Sequence, residues 1–265
     1  MLKTLDTRIS SLAKSEVDIR LEPLEKNPKA KPKSISEGPC ATCSAHNQAI
    51  CSGLKDHEMA EFARNIRTRL VKTGQSVYRE FEEAKYVYSV VSGEIRLANL
   101  LDDGRRQITS FKSAGEVIGE QKKGYYQSDA EAVCDTVVCQ IPIKALDKYH
   151  KEMPSIQSAL SEKVLDELHE LRHHAILLGR KTPIEKIATF LVDRARKIGD
   201  DTGNKVEVKL TMGRNDIADF LGLTIETVSR TITKLRKMGV LDVPSNHLIL
   251  IKDLEWLENL AEGEK

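Results

Sequence analysis

"NDIADFLGLTIETVSRTITKLRKMGVL", residues 215–241, carries two helical patterns separated by Leu221-Gly222-Leu223. The glycine suits a tight stop, because glycine alone enters the left-handed backbone region at no steric cost. Thr224 then fits the N-cap of the second helix and Gly239 its end. Spacing predicts a buried stripe of Ile225, Val228, Ile232 and Leu235. Glu226, Ser229 and Arg230 fall on the opposite face near the helix N-terminus, where helix-turn-helix proteins reach base edges. Arg230 can there donate to guanine O6 and N7, Glu226 can accept from cytosine N4, and Ser229 can bond either way. Thr224, Thr227 and Lys234 complete the expected DNA-binding set, with Lys234, Arg236 and Lys237 nearer the phosphates. Residues 240–251, "VLDVPSNHLILI", read as two strands about a Pro-Ser-Asn turn, a wing beside the helix pair. A merely solvated helix face is the competing reading. Helix, glycine turn, helix and wing in succession favour DNA binding.

Upstream, "TPIEKIATFLVDRARKIG" (182–199) is amphipathic through Ile184, Ile187, Phe190, Leu191 and Ala195. Before it, in residues 154–181, Leu160, Val164, Leu168, Leu171, Ala175 and Leu178 recur at spacings of three and four. That narrow seam is of coiled-coil type and predicts a homodimer; a helix packed on its own domain is the alternative. From about residue 66 to 143 the pattern changes to short alternating runs broken by glycine, which predicts an antiparallel β-roll. The expected class is therefore α+β. Its parts are a flexible tail over 1–38, a cysteine loop and sensor roll over 39–150, a dimerisation helix over 151–181, and a winged helix-turn-helix domain over 182–265. The tail follows from residues 20–39, rich in Pro, Lys, Glu and Ser and too poor in apolar residues to offset their ordering entropy.

A net charge of +1 excludes a globally basic nucleic-acid binder but not a locally basic module. No stretch approaches the ~20 apolar residues that cross a bilayer, and the N-terminus lacks a signal-peptide pattern, so a cytoplasmic protein without a membrane partner is expected. There thiols stay reduced, and clustered cysteines point to metal or redox chemistry. "HELRH" (169–173) satisfies H-E-x-x-H, which in a zinc peptidase would make His169 and His173 ligands and Glu170 the base. It lies within the seam helix and no third ligand follows, so no enzyme is expected.

The helix-turn-helix string, the roll and the seam helix together resemble the Crp/Fnr superfamily of bacterial transcription regulators, and Glu226, Ser229 and Arg230 resemble the E-x-x-S-R of its Fnr branch. The resemblance covers nearly everything after residue 40. It implies a cyclic-nucleotide-binding-like roll and a dimer on a palindrome close to TTGAT-N4-ATCAA, with Arg230 on the guanine. It also implies contact with RNA polymerase through exposed roll loops around Asp102 to Arg106. Cyclic-nucleotide binders of the superfamily carry an Arg-Ser pair after a Gly-Glu. Here Gly119 and Glu120 are followed by Gln127 and Ser128, so the cation that would neutralise a cyclic phosphate is missing. A roll that senses haem or another small molecule remains the alternative.

"CATCSAHNQAIC" (40–51) places Cys40, Cys43 and Cys51 in one loop, and of the five cysteines Cys134 and Cys139 remain as candidates for a fourth thiolate. Four thiolates suit an iron–sulfur cluster or a structural zinc, and spacing alone does not separate them. Fnr-type oxygen sensors are similar in having such a loop and a distant cysteine before "IP". The resemblance therefore implies a [4Fe-4S] cluster on Cys40, Cys43, Cys51 and Cys139, with zinc as the alternative. Cys134 is expected to be a buried small hydrophobe, His46 solvated, and Ser44 near a sulfur. Where the best-known Fnr proteins carry an acidic seam residue this chain has Leu171, which favours a dimer even without the cluster.

Overall fold

The computed structural model describes Cys40, residues 43–201 and residues 205–263; the tail expected over 1–38 lies outside the described residues. After the cysteine loop comes α1 (Asp56–Asn65). Ten strands follow: β1 (Arg67–Val71), β2 (Ser76–Tyr78), β3 (Tyr86–Ser92), β4 (Ile95–Leu100), β5 (Arg106–Lys112), β6 (Val117–Ile118), β7 (Gln121–Lys122), β8 (Tyr125–Tyr126), β9 (Asp129–Ala132) and β10 (Thr136–Pro142). Among the described residues they form two four-stranded antiparallel sheets, in the orders β1-β10-β3-β6 and β2-β9-β4-β5, with β7-β8 as a separate ribbon. This is the expected roll. Its interior is apolar and aromatic: Tyr78, Tyr88, Val90, Ile95, Tyr126 and Val138 are buried together.

Two helices then run on from the roll, α2 (Ile143–Glu152) and α3 (Pro154–Arg180). α2 was not anticipated from the sequence: it runs across the boundary expected at residues 150 and 151 between roll and dimerisation helix. The break between the two falls at Met153, which is extended because the following proline excludes the helical conformation. Next comes α4 (Pro183–Ile198), opened by a capping box in which the Thr182 N–H donates to Glu185 Oε2 at 2.9 Å.

The C-terminal module adds β11 (Asp200–Asp201), β12 (Val206–Lys209), α5 (Arg214–Leu221), α6 (Ile225–Lys237), β13 (Leu241–Ser245), β14 (Leu248–Ile251) and α7 (Leu254–Glu262). Its sheet order is β11-β12-β14-β13, so the wing hairpin is braced by β12. α7 was not anticipated either. Asp253 caps it through the Trp256 N–H at 2.9 Å, and its Leu257 and Ala261 enter the core that α4, α5 and α6 share.

Three apolar cores result. One fills the roll, one fills the winged module and takes in Ala98, Ile108 and Phe111 of β4 and β5, and the third joins the cysteine loop to α1, β10, α2 and the start of α3 through Ile50, Phe62, Ile141, Tyr149 and Ile156. The third core places the loop. At Gly115, with φ +85°, a Cβ would stand 2.5 Å from Gln48 Cβ, so the β5–β6 turn and the cysteine loop approach as only glycine allows.

Candidate DNA-reading surface and cysteine cavity

Gly222 takes the left-handed conformation (φ 59°) between α5 and α6, as the turn requires. Thr224 Oγ1 accepts from the Thr227 N–H at 3.2 Å and caps α6. Val228, Thr231, Ile232 and Leu235 form the buried stripe. Ile225 is a correction: at ~100° per residue it falls at the margin of that stripe, remains 39% exposed, and Thr231 takes its place inside. Glu226, Ser229, Arg230 and Lys234 are exposed, with Thr227 half-buried beside them. The Glu226 carboxyl is held below its usual range by its own backbone N–H, then by the Thr224 hydroxyl and the Arg230 charge. The face thus presents an ionised acceptor and a guanidinium one turn apart, the donor and acceptor pattern that a major groove can read.

The four expected cysteines line a single cavity together with His46. Successive turns carry the loop round it: the Cys43 N–H donates to the Cys40 carbonyl at 3.4 Å and the His46 N–H to the Cys43 carbonyl at 3.3 Å. Cys139 enters from β10, where it stands opposite Thr68 of β1 and Ser89 of β3. Cys51 and Cys139 are buried, Cys40 and Cys43 half-buried. Burial first, then the neighbouring thiols Cys40 and Cys43, pushes Cys51 up to about 11; burial and the other three cysteines push Cys139 up to about 12. Cys40 is raised as well, by burial and by Cys43. Raised thiols gathered in a largely apolar cavity are a donor set whose thiolate form needs a cation at its centre. Among the described residues, no three His, Cys, Asp or Glu side chains yet stand in a group able to hold a metal ion, so number and type of donor fit while their spacing is open.

Cys134 lies away from this cavity, half-buried, with its Sγ 4.0 Å from Thr136 Oγ1; it is not the fully buried hydrophobe expected. His46 is also a correction: its Nδ1 is 3.8 Å from Cys51 Sγ and its ring lines the cavity, because the short turn over His46–Gln48 folds it inward. Ser44, expected near a sulfur, donates its hydroxyl to the Val91 carbonyl at 3.2 Å.

In the roll, the rings of Tyr78 and Tyr126 stack at 3.9 Å between centroids, with Tyr88 against Tyr78 at 5.8 Å. Gln127 spends its amide on the Tyr125 carbonyl at 2.8 Å. Aromatic rings and a neutral amide thus occupy the region where the sequence had lost the phosphate-binding arginine.

On α3, Val164 (67% exposed), Leu168 (41%) and Leu171 (45%) form an outward apolar stripe, continued by exposed Ala175. At its two ends Leu160 and Leu178 are half-buried. Leu160 packs on the core beneath the cysteine loop and Leu178 on the core of the winged module. Leu165 and Ile176, exposed on the same helix, were missed because they lie off the strict seam spacing. The H-E-x-x-H residues are used separately: Glu170 bonds buried Lys112 at 2.9 Å, and His173 pairs with Asp193 at 3.3 Å.

A β-roll joined by a long helix to a winged helix-turn-helix module defines a DNA-binding transcriptional regulator. Residues 68–152 match the cyclic nucleotide-binding domain family and residues 185–260 the Crp-like helix-turn-helix domain family. The chain is similar to the nitrogen fixation regulation protein FixK of Bradyrhizobium diazoefficiens, at 37% identity over 84% of this chain and 93% of that protein. It is also similar to the fumarate and nitrate reduction regulatory protein of Escherichia coli K12, at 31% identity over 84% of this chain and 90% of that one. Among solved structures, FixK2 from Bradyrhizobium japonicum superposes with a TM-score of 0.69 and 36% identity, over 74% of this chain and 96% of that chain. The chain belongs to the Crp/Fnr family of transcription regulators, which bind DNA and act as dimers; it is not an enzyme. Among the described residues, no helix is long and apolar enough to cross a membrane.

Proposed function

We propose that this regulator is oxygen-responsive, with Cys40, Cys43, Cys51 and Cys139 holding a [4Fe-4S] cluster. The observation that carries the reading is the convergence of all four cysteines on one cavity, in the same core as the first turns of α3. Bound there, a cluster supplies iron–sulfur chemistry that reacts with oxygen. The protein's part is to hold the loop. Cys51 and Ile50 pack in one core with Ile156 and Leu160, so the loop that would hold the cluster is tied to the base of the dimerisation helix. Val164, Leu168, Leu171 and Ala175 are the seam proposed for the two-fold partner. Leu171 in place of an acid would keep the metal-free chain partly or wholly dimeric, so the response to oxygen would act on subunit orientation. Glu226, Ser229 and Arg230 read a TTGAT-N4-ATCAA-like palindrome, supported by Thr224, Thr227 and Lys234, and control genes for life without oxygen. The relatives named for nitrogen fixation and for fumarate and nitrate reduction support that last reading. RNA polymerase would meet the β4–β5 loop at Leu101 to Arg105; Arg106, first grouped with it, is turned onto α5.

The test is anaerobic purification, then an absorption spectrum and operator binding during exposure to air. A brown protein that bleaches and loses operator affinity is the expected result. A colourless protein with one zinc per chain sinks the cluster, and a haem spectrum moves the sensor to the roll.

A further inference from the structure

The helix that precedes the DNA-reading helix is gripped from three sides, and its acidic face is closed by the roll. Arg96 of β4 donates from Nη1 to both Asp216 oxygens at 3.0 Å, and its other terminal nitrogen bonds Glu131. Arg106 of β5 reaches Asp216 at 2.6 Å and Asp219 at 2.8 Å. Asp216 and Asp219 both belong to α5, on the side turned to the roll.

The carbonyl end of α5 is held as firmly. Gln107 donates to the Asp219 carbonyl at 2.8 Å and, at 3.3 Å, to that of Phe220. His174 of α3 bonds the Phe220 carbonyl at 2.8 Å and stacks on the Phe220 ring, with centroids 4.2 Å apart. Lys186 of α4 donates to the Leu221 carbonyl at 3.1 Å. The last carbonyls of a helix have no intrahelical partner. Here the roll, the long helix and α4 each supply one.

We infer that Arg96 and Arg106 are positioning residues for DNA recognition, setting the orientation of α6 against the roll by neutralising and holding α5. Two observations give the direction. With these contacts made, Glu226, Ser229 and Arg230 remain exposed, so the contacts do not mask the reading face. The same contacts also take two carboxylates out of play on a helix that crosses a phosphate backbone in this motif, where free acids would repel DNA. Because Asp216 is only 11% exposed and shared by two guanidinium groups, the pairs are shielded from the solvent that weakens surface ion pairs. Gly222, the only residue between α5 and the Leu223-Thr224 entry to α6, passes the orientation on with little slack.

The test uses the full chain, purified without air, and the duplex that the wild-type chain itself enriches from a random pool, so that the outcome does not depend on the operator or the cofactor proposed above. Arg96→Gln combined with Arg106→Gln should weaken binding to that duplex by about tenfold or more, as coupled contacts of this kind allow. Amides of α5 and α6 should exchange faster in the same variant while those of β3 and β10 keep their protection. Arg106→Asp alone should lose more, and adding Asp219→Arg should return affinity to within about threefold of the wild type. Binding by the double glutamine variant within about threefold of wild type would overturn the inference, as would a charge swap that recovers none of the loss. A glutamine variant that does not fold leaves the decision to the swap, which keeps both charges.

Discussion

Replacing Leu171 by Glu should weaken the dimer, and by an amount that follows from its exposure. Full burial of a leucine side chain stabilises by about 1.5–3 kcal/mol. In the single chain 45% of Leu171 is still exposed, so a partner can add about 0.7–1.3 kcal/mol per copy. A two-fold interface contains the residue twice, which gives about 1.4–2.6 kcal/mol, or roughly a 10- to 80-fold rise in the dimer dissociation constant. Facing carboxylates would add to this. Sedimentation equilibrium on metal-free protein at micromolar concentration reads it directly. Leu178→Glu is the control: it faces the core of the winged module, so it should lower the unfolding temperature and leave the association of folded chains alone. A dissociation constant unchanged by Leu171→Glu, or a wild-type metal-free protein that sediments purely as monomer, would refute the seam.

Other residues give further tests. Glu94→Ala leaves Arg194 stranded between Phe111 and Phe190, with both charged side chains at about one-twentieth exposure, and should cost about 3–5 kcal/mol in chemical denaturation; a cost under about 1 kcal/mol contradicts the account. Burial outweighs the Phe220 hydrogen bond and holds His174 below its ordinary value of 6.5. The neutral ring is therefore the folded form, and stability should fall as pH drops below about 6.5, where the unfolded chain takes up the proton first. In His174→Gln that component of the slope should vanish from denaturation curves between about pH 5 and 7. For the thiols, Cys139→Ser should abolish the iron chromophore of anaerobically purified protein while Cys134→Ser keeps it, and equal loss in both would misplace the fourth ligand.

The recognition helix was legible because its evidence is local. Capping at Thr224, the Gly222 turn and the position of Arg230 opposite Val228 depend only on residues within a few turns. Periodicity was less able to say what covers an apolar residue. Leu160, Val164, Leu168, Leu171, Ala175 and Leu178 have one spacing, yet the two ends of that series pack within the chain and the middle faces outward. Nor did the thiols declare their arrangement. The 40–51 loop named three, but only the register of β10 against β1 and β3 turns Cys139 to the same cavity and leaves Cys134 outside it. Arg96 and Asp216, 120 residues apart, carry no mutual signal along the chain, because ion pairs between domains follow from how surfaces meet. The sequence by itself thus determined α5, α6 and the turn between them, with the side chains that α6 leaves exposed, which short-range sterics and hydrogen bonding impose. Tertiary structure alone decided which cysteines converge, which leucines remain for a partner, and how α5 is held, because those depend on packing between elements distant in the chain.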